Sequence, residues 1–120
     1  MNSDKLRRLR HQAFRHQNFL CFYCKFPMWD SDPRDFSIEH NIPSRLSKHL
    51  KCTAEHLVPR QDSGKDSTGN IVAACLWCNR MRHQGRPHKA PDAATYRMQV
   101  VRWVAAGRWH PIASSRRIVD

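Results

Sequence analysis

The sequence predicts a small α+β fold whose core is stapled by a metal ion and flanked by a helix at each end. Three observations predict it. Two C-x2-C pairs, Cys21/Cys24 and Cys75/Cys78, are separated by residues 25–74. Short strand-like segments, 53–58 and 70–74, lie between the pairs, and helical periodicity marks 4–18 and 92–106. A chain of 120 residues makes one domain, 1–120, the default. It divides into a basic N-terminal helix (1–18), a metal-stapled core (19–90) and a C-terminal helix with its tail (91–120).

Taken in order, residues 4–18 place Leu6, Leu9, Ala13 and Phe14 at helical spacing among Lys5, Arg7, Arg8, Arg10 and Arg15, and Ser3 or Asp4 can cap the start. This basic flank reads equally as a solvated arm or as one that contacts phosphates. Residues 19–29 hold the first cysteine pair among Phe19, Phe22, Tyr23, Phe26 and Trp29, which suits a short hairpin or knuckle. Residues 30–35, rich in Asp and Ser and broken by Pro33, read as a loop. Residues 43–50 resemble a short helix with Pro43 in its first turn. Residues 53–58 read as a strand stopped by Pro59, 60–69 as a polar turn region, and 70–74 as an apolar segment leading into the second cysteine pair. A helix is predicted from about 76 to 84, ending at Gly85. After a proline-containing linker at 86–91, residues 92–106 form the strongest helical pattern. Tyr96, Val100, Trp103 and Val104 line one face, and Gly107 stands where a helix-ending glycine belongs. That helix is most simply a cover for the core.

Lys and Arg number 21 against 10 Asp and Glu, a net charge of +11. Such a surplus in a small domain favours a polyanionic partner, with nucleic acid first and an anionic membrane surface second. No apolar run approaches the ~20 residues of a membrane helix. The charged residues 1–10 contain no apolar signal-like stretch, so the expected location is the cytoplasm. In that compartment paired cysteines read as metal ligands rather than as disulfides.

A two-residue gap lets both thiolates of a knuckle face one ion, and two knuckles supply four ligands. Cys21, Cys24, Cys75 and Cys78 therefore predict a tetrahedral, closed and hence structural Zn²⁺ site. Zinc binding coupled to folding supplies ~10–16 kcal/mol of apparent free energy in small domains. That exceeds what a core of this size supplies, so zinc largely decides whether the chain folds. A rival set, His49 and Cys52 with Cys21 and Cys24, leaves Cys75 and Cys78 unexplained. Cys52 reads better as a buried free thiol.

Between the cysteine pairs, Glu55 and His56 put a carboxylate and an imidazole side by side at a strand end. Asn79 and His83, four apart, share one face of the helix that starts at the second knuckle. Glu55 and Asn79 can offer oxygen ligands to a hard cation such as Mg²⁺, which keeps several waters. His56 is then free to act as a general base, and an unperturbed pKa near ~6.5 suits that task. Glu39-His40 repeats the acid–His pattern but lies much farther from Cys75, in a poorer strand context.

The run Glu55-His56-Leu57-Val58-Pro59, Asn70 to Cys75, Cys78-Asn79 and Arg82-His83 resembles the HNH endonuclease family with its ββα-metal finger. The resemblance covers roughly residues 20–87 and implies a zinc-stapled, treble-clef-like ββα-metal core. It also implies hydrolysis of DNA phosphodiester bonds with one divalent ion, Mg²⁺ or another. By that resemblance His56 activates water, Glu55 and Asn79 hold the ion, and Asn70 braces the loop that orients His56. His83 or Arg82 takes the last basic position, near the metal or the scissile phosphate. The family's acid is commonly Asp. Glu55 adds one methylene, about 1.5 Å of reach, which admits a direct or a water-mediated contact. The stretch Gly107-Arg108-Trp109-His110-Pro111 also resembles the tails of some bacterial members. The rival reading is a non-catalytic zinc-stapled DNA-binding module, and an adaptor-type zinc domain leaves the +11 charge unexplained. The expected oligomeric state is a monomer or a weak homodimer.

Overall fold

A computed structural model of the chain describes residues 2–84 and 90–112. Helix α1 (Asn2–His16) is followed by a knuckle closed by an antiparallel bridge between Leu20 and Pro27. Helix α2 (Pro33–His40) and the short α3 (Ser44–Ser47) come next, α3 running into a single 3-10 turn, Lys48–Leu50. Strand β1 (Cys52–His56) pairs antiparallel with β2 (Ile71–Cys75), in register from Cys52–Cys75 to His56–Ile71. Helix α4 (Leu76–His83) starts directly from β2, and α5 (Ala93–Ala105) follows. The order β1, β2, α4 is the expected ββα unit. The stop at Gly85, most of the linker at 86–91 and the tail beyond 112 lie outside the described residues.

Helix α2 corrects the reading of residues 30–35 as a loop. Asp32 is its N-cap, its carboxylate accepting from the Arg34 backbone N–H, and Pro33 sits at the first helical position. A proline there loses no helical hydrogen bond, because that N–H has no partner within the helix anyway. Helix α2 ends at Asn41, held in the left-handed region at φ 53°. Helix α5 matches its predicted face. Tyr96 and Val100 are buried, Trp103 and Val104 pack against the core, and Gly107 takes φ +69° just past the end. Burying a valine such as Val100 fully contributes ~1.5–3 kcal/mol.

The core gathers Phe14 of α1, Tyr23 of the knuckle, Leu50, Ala73 and Ala74 of β2, and Val100 around the four cysteines of the knuckles. Helix α1 packs against the hairpin. Just beyond its end, the Gln17 side chain donates to the Ala73 carbonyl (2.8 Å) and accepts from the Ala73 N–H (2.9 Å). This amide extends β2 as one residue of a neighbouring strand would. Among the described residues no helix is long and apolar enough to cross a membrane.

Candidate active site

The second knuckle sits where strand becomes helix. Cys75 ends β2 and caps α4, its sulfur accepting from the Cys78 N–H at 3.4 Å. The first knuckle folds back on it, so the sulfurs of Cys21, Cys24, Cys75 and Cys78 all lie within 4.8 Å of one another, in buried residues. Cys24 Sγ and Cys75 Sγ are 3.8 Å apart. A disulfide needs ~2.05 Å. A tetrahedral ion with Zn–S bonds of ~2.3 Å places its sulfurs about 3.8 Å apart. The donors around the sulfurs also suit thiolates. The Tyr23 and Cys75 N–H groups point at Cys21 Sγ (3.4 and 3.3 Å), and the Trp109 indole N–H points at Cys78 Sγ (3.3 Å). Buried His110 sets Nε2 3.7 Å from Cys75 Sγ. Burial pushes the thiols of Cys75 and Cys78 up, while hydrogen bonds from the other three cysteines converge on Cys21 and bring it well below the ordinary thiol range. A cation shared by these packed thiols would favour their thiolate forms. This donor set fits Zn²⁺. The rival ligands are elsewhere engaged: His49 packs edge-on against Trp77, and Cys52 is buried, its thiol raised to about 12 by burial.

Glu55 and His56 occupy the end of β1, and α4 crosses them. Glu55 is only 2% exposed. Its Oε2 accepts from Arg82 Nη1 at 2.7 Å and from the Tyr23 hydroxyl at 2.8 Å, and its Oε1 lies 3.5 Å from His83 Nε2. The Asn79 side-chain amide donates to Thr53 Oγ1 (3.0 Å) and to the Ala54 carbonyl (3.3 Å), which leaves its oxygen uncommitted to the strand. Glu55, His56, Asn79 and His83 thus line one open cleft of about 500 Å³, with Arg60 at its rim. Two donors 3.5 Å apart can share one ion. Cis ligands at ~2.1 Å on an octahedral ion stand about 3.0 Å apart.

Asn70 stands outside the cleft and clasps the loop between the strands. Its Oδ1 accepts from the Val58 N–H, and its Nδ2 donates to the carbonyls of Val58 and Lys65. Of the two residues named for the last basic position, near the metal or the phosphate, His83 lines the cleft and Arg82 does not. Arg82 is 1% exposed, and besides Glu55 it donates to the carbonyls of His56, Leu57 and Pro91 (2.9, 2.9 and 3.0 Å). A buried guanidinium needs that many acceptors, so the side chain turns into the protein and pins the end of β1. Glu39 and His40 form a surface pair at the end of α2 and do not line the cleft.

Two partners of the acid–His pair escape sequence reasoning. Tyr23, hidden between knuckle cysteines, reaches Glu55 from 32 positions away. Asp66 sets Oδ1 2.8 Å from His56 Nε2 and also receives Arg60. Hydrogen bonds from His56 and Arg60 hold its carboxyl below the usual range.

An antiparallel strand pair followed directly by a helix carries these side chains, and four cysteines that could hold zinc cluster at the strand–helix junction. Residues 45–85, from α3 through α4, match the HNH endonuclease family, and no curated protein or solved structure matches the chain. The first knuckle, Cys21 and Cys24, lies outside the matched segment.

Proposed function

We propose that the protein is a metal-dependent DNA endonuclease in which His56 is the general base. One observation carries the reading: Glu55, His56, Asn79 and His83 meet in a single cleft on the ββα unit, within the segment that matches the HNH endonuclease family. A divalent ion held by Glu55 Oε1 and His83, with Asn79 beside them, would stabilise charge on the scissile phosphate. His56 takes the proton of the attacking water as the new P–O bond forms. Arg60, more than half exposed at the rim, offers its guanidinium to a phosphate oxygen. Asn70 keeps the loop behind His56 closed, and Arg82 keeps Glu55 and the end of β1 in place. Cys21, Cys24, Cys75 and Cys78 would hold a structural Zn²⁺ that takes no part in the reaction. The +11 charge and the basic α1 suit DNA as the polyanion bound.

The test is plasmid nicking with Mg²⁺, Mn²⁺ or Ni²⁺. A positioned base contributes ~10²–10⁴-fold. His56→Ala should therefore lose at least about a hundredfold in rate while DNA retention and folding stay unchanged. Equal cutting by the two proteins refutes the assignment of the base. DNA retention by wild type without cutting under any of the three ions identifies a non-catalytic, zinc-stapled DNA-binding module instead.

A further inference from the structure

The loop between β1 and β2 returns a carboxylate to the imidazole at the strand end. His56 Nε2 and Asp66 Oδ1 are 2.8 Å apart, and both side chains are largely shielded, 16% and 14% exposed. Arg60 grips the same carboxylate with two nitrogens, Nε at 3.3 Å from Oδ1 and Nη2 at 3.0 Å from Oδ2. The loop path that allows this is tightly specified. The Gly64 N–H donates to the Pro59 carbonyl, and a Cβ at Gly64 would collide with the Val58 carbonyl. Asn70 fastens the loop at Val58 on one side and Lys65 on the other, immediately before Asp66.

The two Arg60 N–H donors favour the ionised form of Asp66. An ionised carboxylate accepts and never donates, so the ring nitrogen facing it carries the hydrogen. A neutral imidazole with hydrogen on Nε2 has its lone pair on Nδ1. We propose that Asp66, braced by Arg60, is the positioning carboxylate of His56: it holds the ring in the Nε2–H form and so makes Nδ1 the proton-accepting atom. This rests on the nuclease reading. In the reaction, the water oxygen bonds to phosphorus as its proton moves to Nδ1. The bond from phosphorus to the leaving sugar oxygen breaks with its electron pair on that oxygen, which takes a proton from solvent. The imidazolium so formed keeps its Nε2–H on Asp66, and the negative carboxylate stabilises it until Nδ1 returns its proton to solvent. Arg60 serves twice here, fixing Asp66 with one edge while its exposed part faces the cleft.

The experiment pairs nitrogen NMR of the His56 ring, in zinc-loaded protein without added divalent ion and with the ring neutral, with steady-state nicking. Wild type should show the Nε2–H tautomer, and Asp66→Ala a mixed population. Asp66→Ala should lower kcat about 10- to 1,000-fold, no more than the ~10²–10⁴-fold that the base itself supplies, and leave KM within about twofold. Asp66→Glu should restore part of kcat. Asp66→Asn, which keeps the shape without the charge, should also lose kcat and guards against a folding defect in the alanine variant. An unchanged ring spectrum in Asp66→Ala, or a change confined to KM, overturns the proposal. If wild type cuts nothing with any ion, the nuclease reading falls, and the ring spectrum alone decides whether Asp66 sets the tautomer.

Discussion

Replacing Arg82 with methionine removes the cation from a buried pair and leaves the acid in place. Arg82 and Glu55 are 1% and 2% exposed, and the ion pair between them is 2.7 Å long. Methionine fills much of the same volume without polar atoms, so the loss comes from electrostatics and hydrogen bonding rather than from a cavity. Breaking a buried pair by deleting one partner costs ~3–5 kcal/mol, since the remaining charge is uncompensated. The carbonyls of His56, Leu57 and Pro91 lose their donor as well, but these losses overlap with that figure rather than adding to it. Against a typical total of ~5–15 kcal/mol this is a large share. At about 4 °C per kcal/mol it lowers Tm by about 12–20 °C. The assay is thermal unfolding of the zinc-loaded protein followed by circular dichroism. Arg34→Met, at an 88% exposed side chain, is the control and should shift Tm by little. The double variant Arg82→Met with Glu55→Leu should recover much of the stability, because an apolar pair replaces the ion pair, yet remain unable to nick DNA. A drop in Arg82→Met no larger than that of the control would refute the view that this pair anchors the end of β1.

Two other measurements bear on the metal centre and its surroundings. Trp109→Phe keeps an aromatic ring where Trp109 stacks on Trp103 (4.7 Å between ring centres) but removes the N–H aimed at Cys78. The loss of one hydrogen bond of ~1 kcal/mol should speed zinc transfer to a chromogenic chelator about fivefold, and an unchanged rate would separate the tail from the metal centre. The Cys52 thiol, raised from 9.0 to about 12 by burial, should hold about a thousandfold less thiolate than an ordinary thiol at neutral pH. It should therefore resist alkylation in the folded protein and react once the chain is unfolded, and Cys52→Ala should keep its zinc. Rapid native alkylation at Cys52 would contradict its burial.

What the sequence makes legible is whatever depends on spacing along one element. The two C-x2-C pairs announce their own geometry, and Asn79 and His83 share a helix face because they are four apart. Tyr96, Val100, Trp103 and Val104 mark a stripe that does face the core. What stays hidden depends on how distant segments meet. Arg80 and Arg82 sit on the same short helix, yet only Arg82 turns inward, because a buried carboxylate and three carbonyls wait there. Asp66 looks like any polar loop residue until Gly64 and Asn70 fold the loop back to His56. Helix α2 is a different case: Asp32-Pro33 is a helix-start signal, and the surrounding Asp and Ser residues concealed it.

The four-cysteine centre also constrains when the protein can become functional during synthesis. Its sulfurs come from residues 21–24 and 75–78, and two of their neighbours, Trp109 and His110, come from farther along the chain. A growing chain emerges N-terminus first, so its first knuckle appears with only half a ligand set. The cleft that α4 closes over Glu55 and His56 forms only after the second knuckle arrives. The Trp109 N–H that points at Cys78 arrives later still. A ribosome-bound fragment ending before residue 75 therefore carries His56 but cannot build the surface on which it would act. On the proposed nuclease reading, cutting therefore waits until the second knuckle has been made.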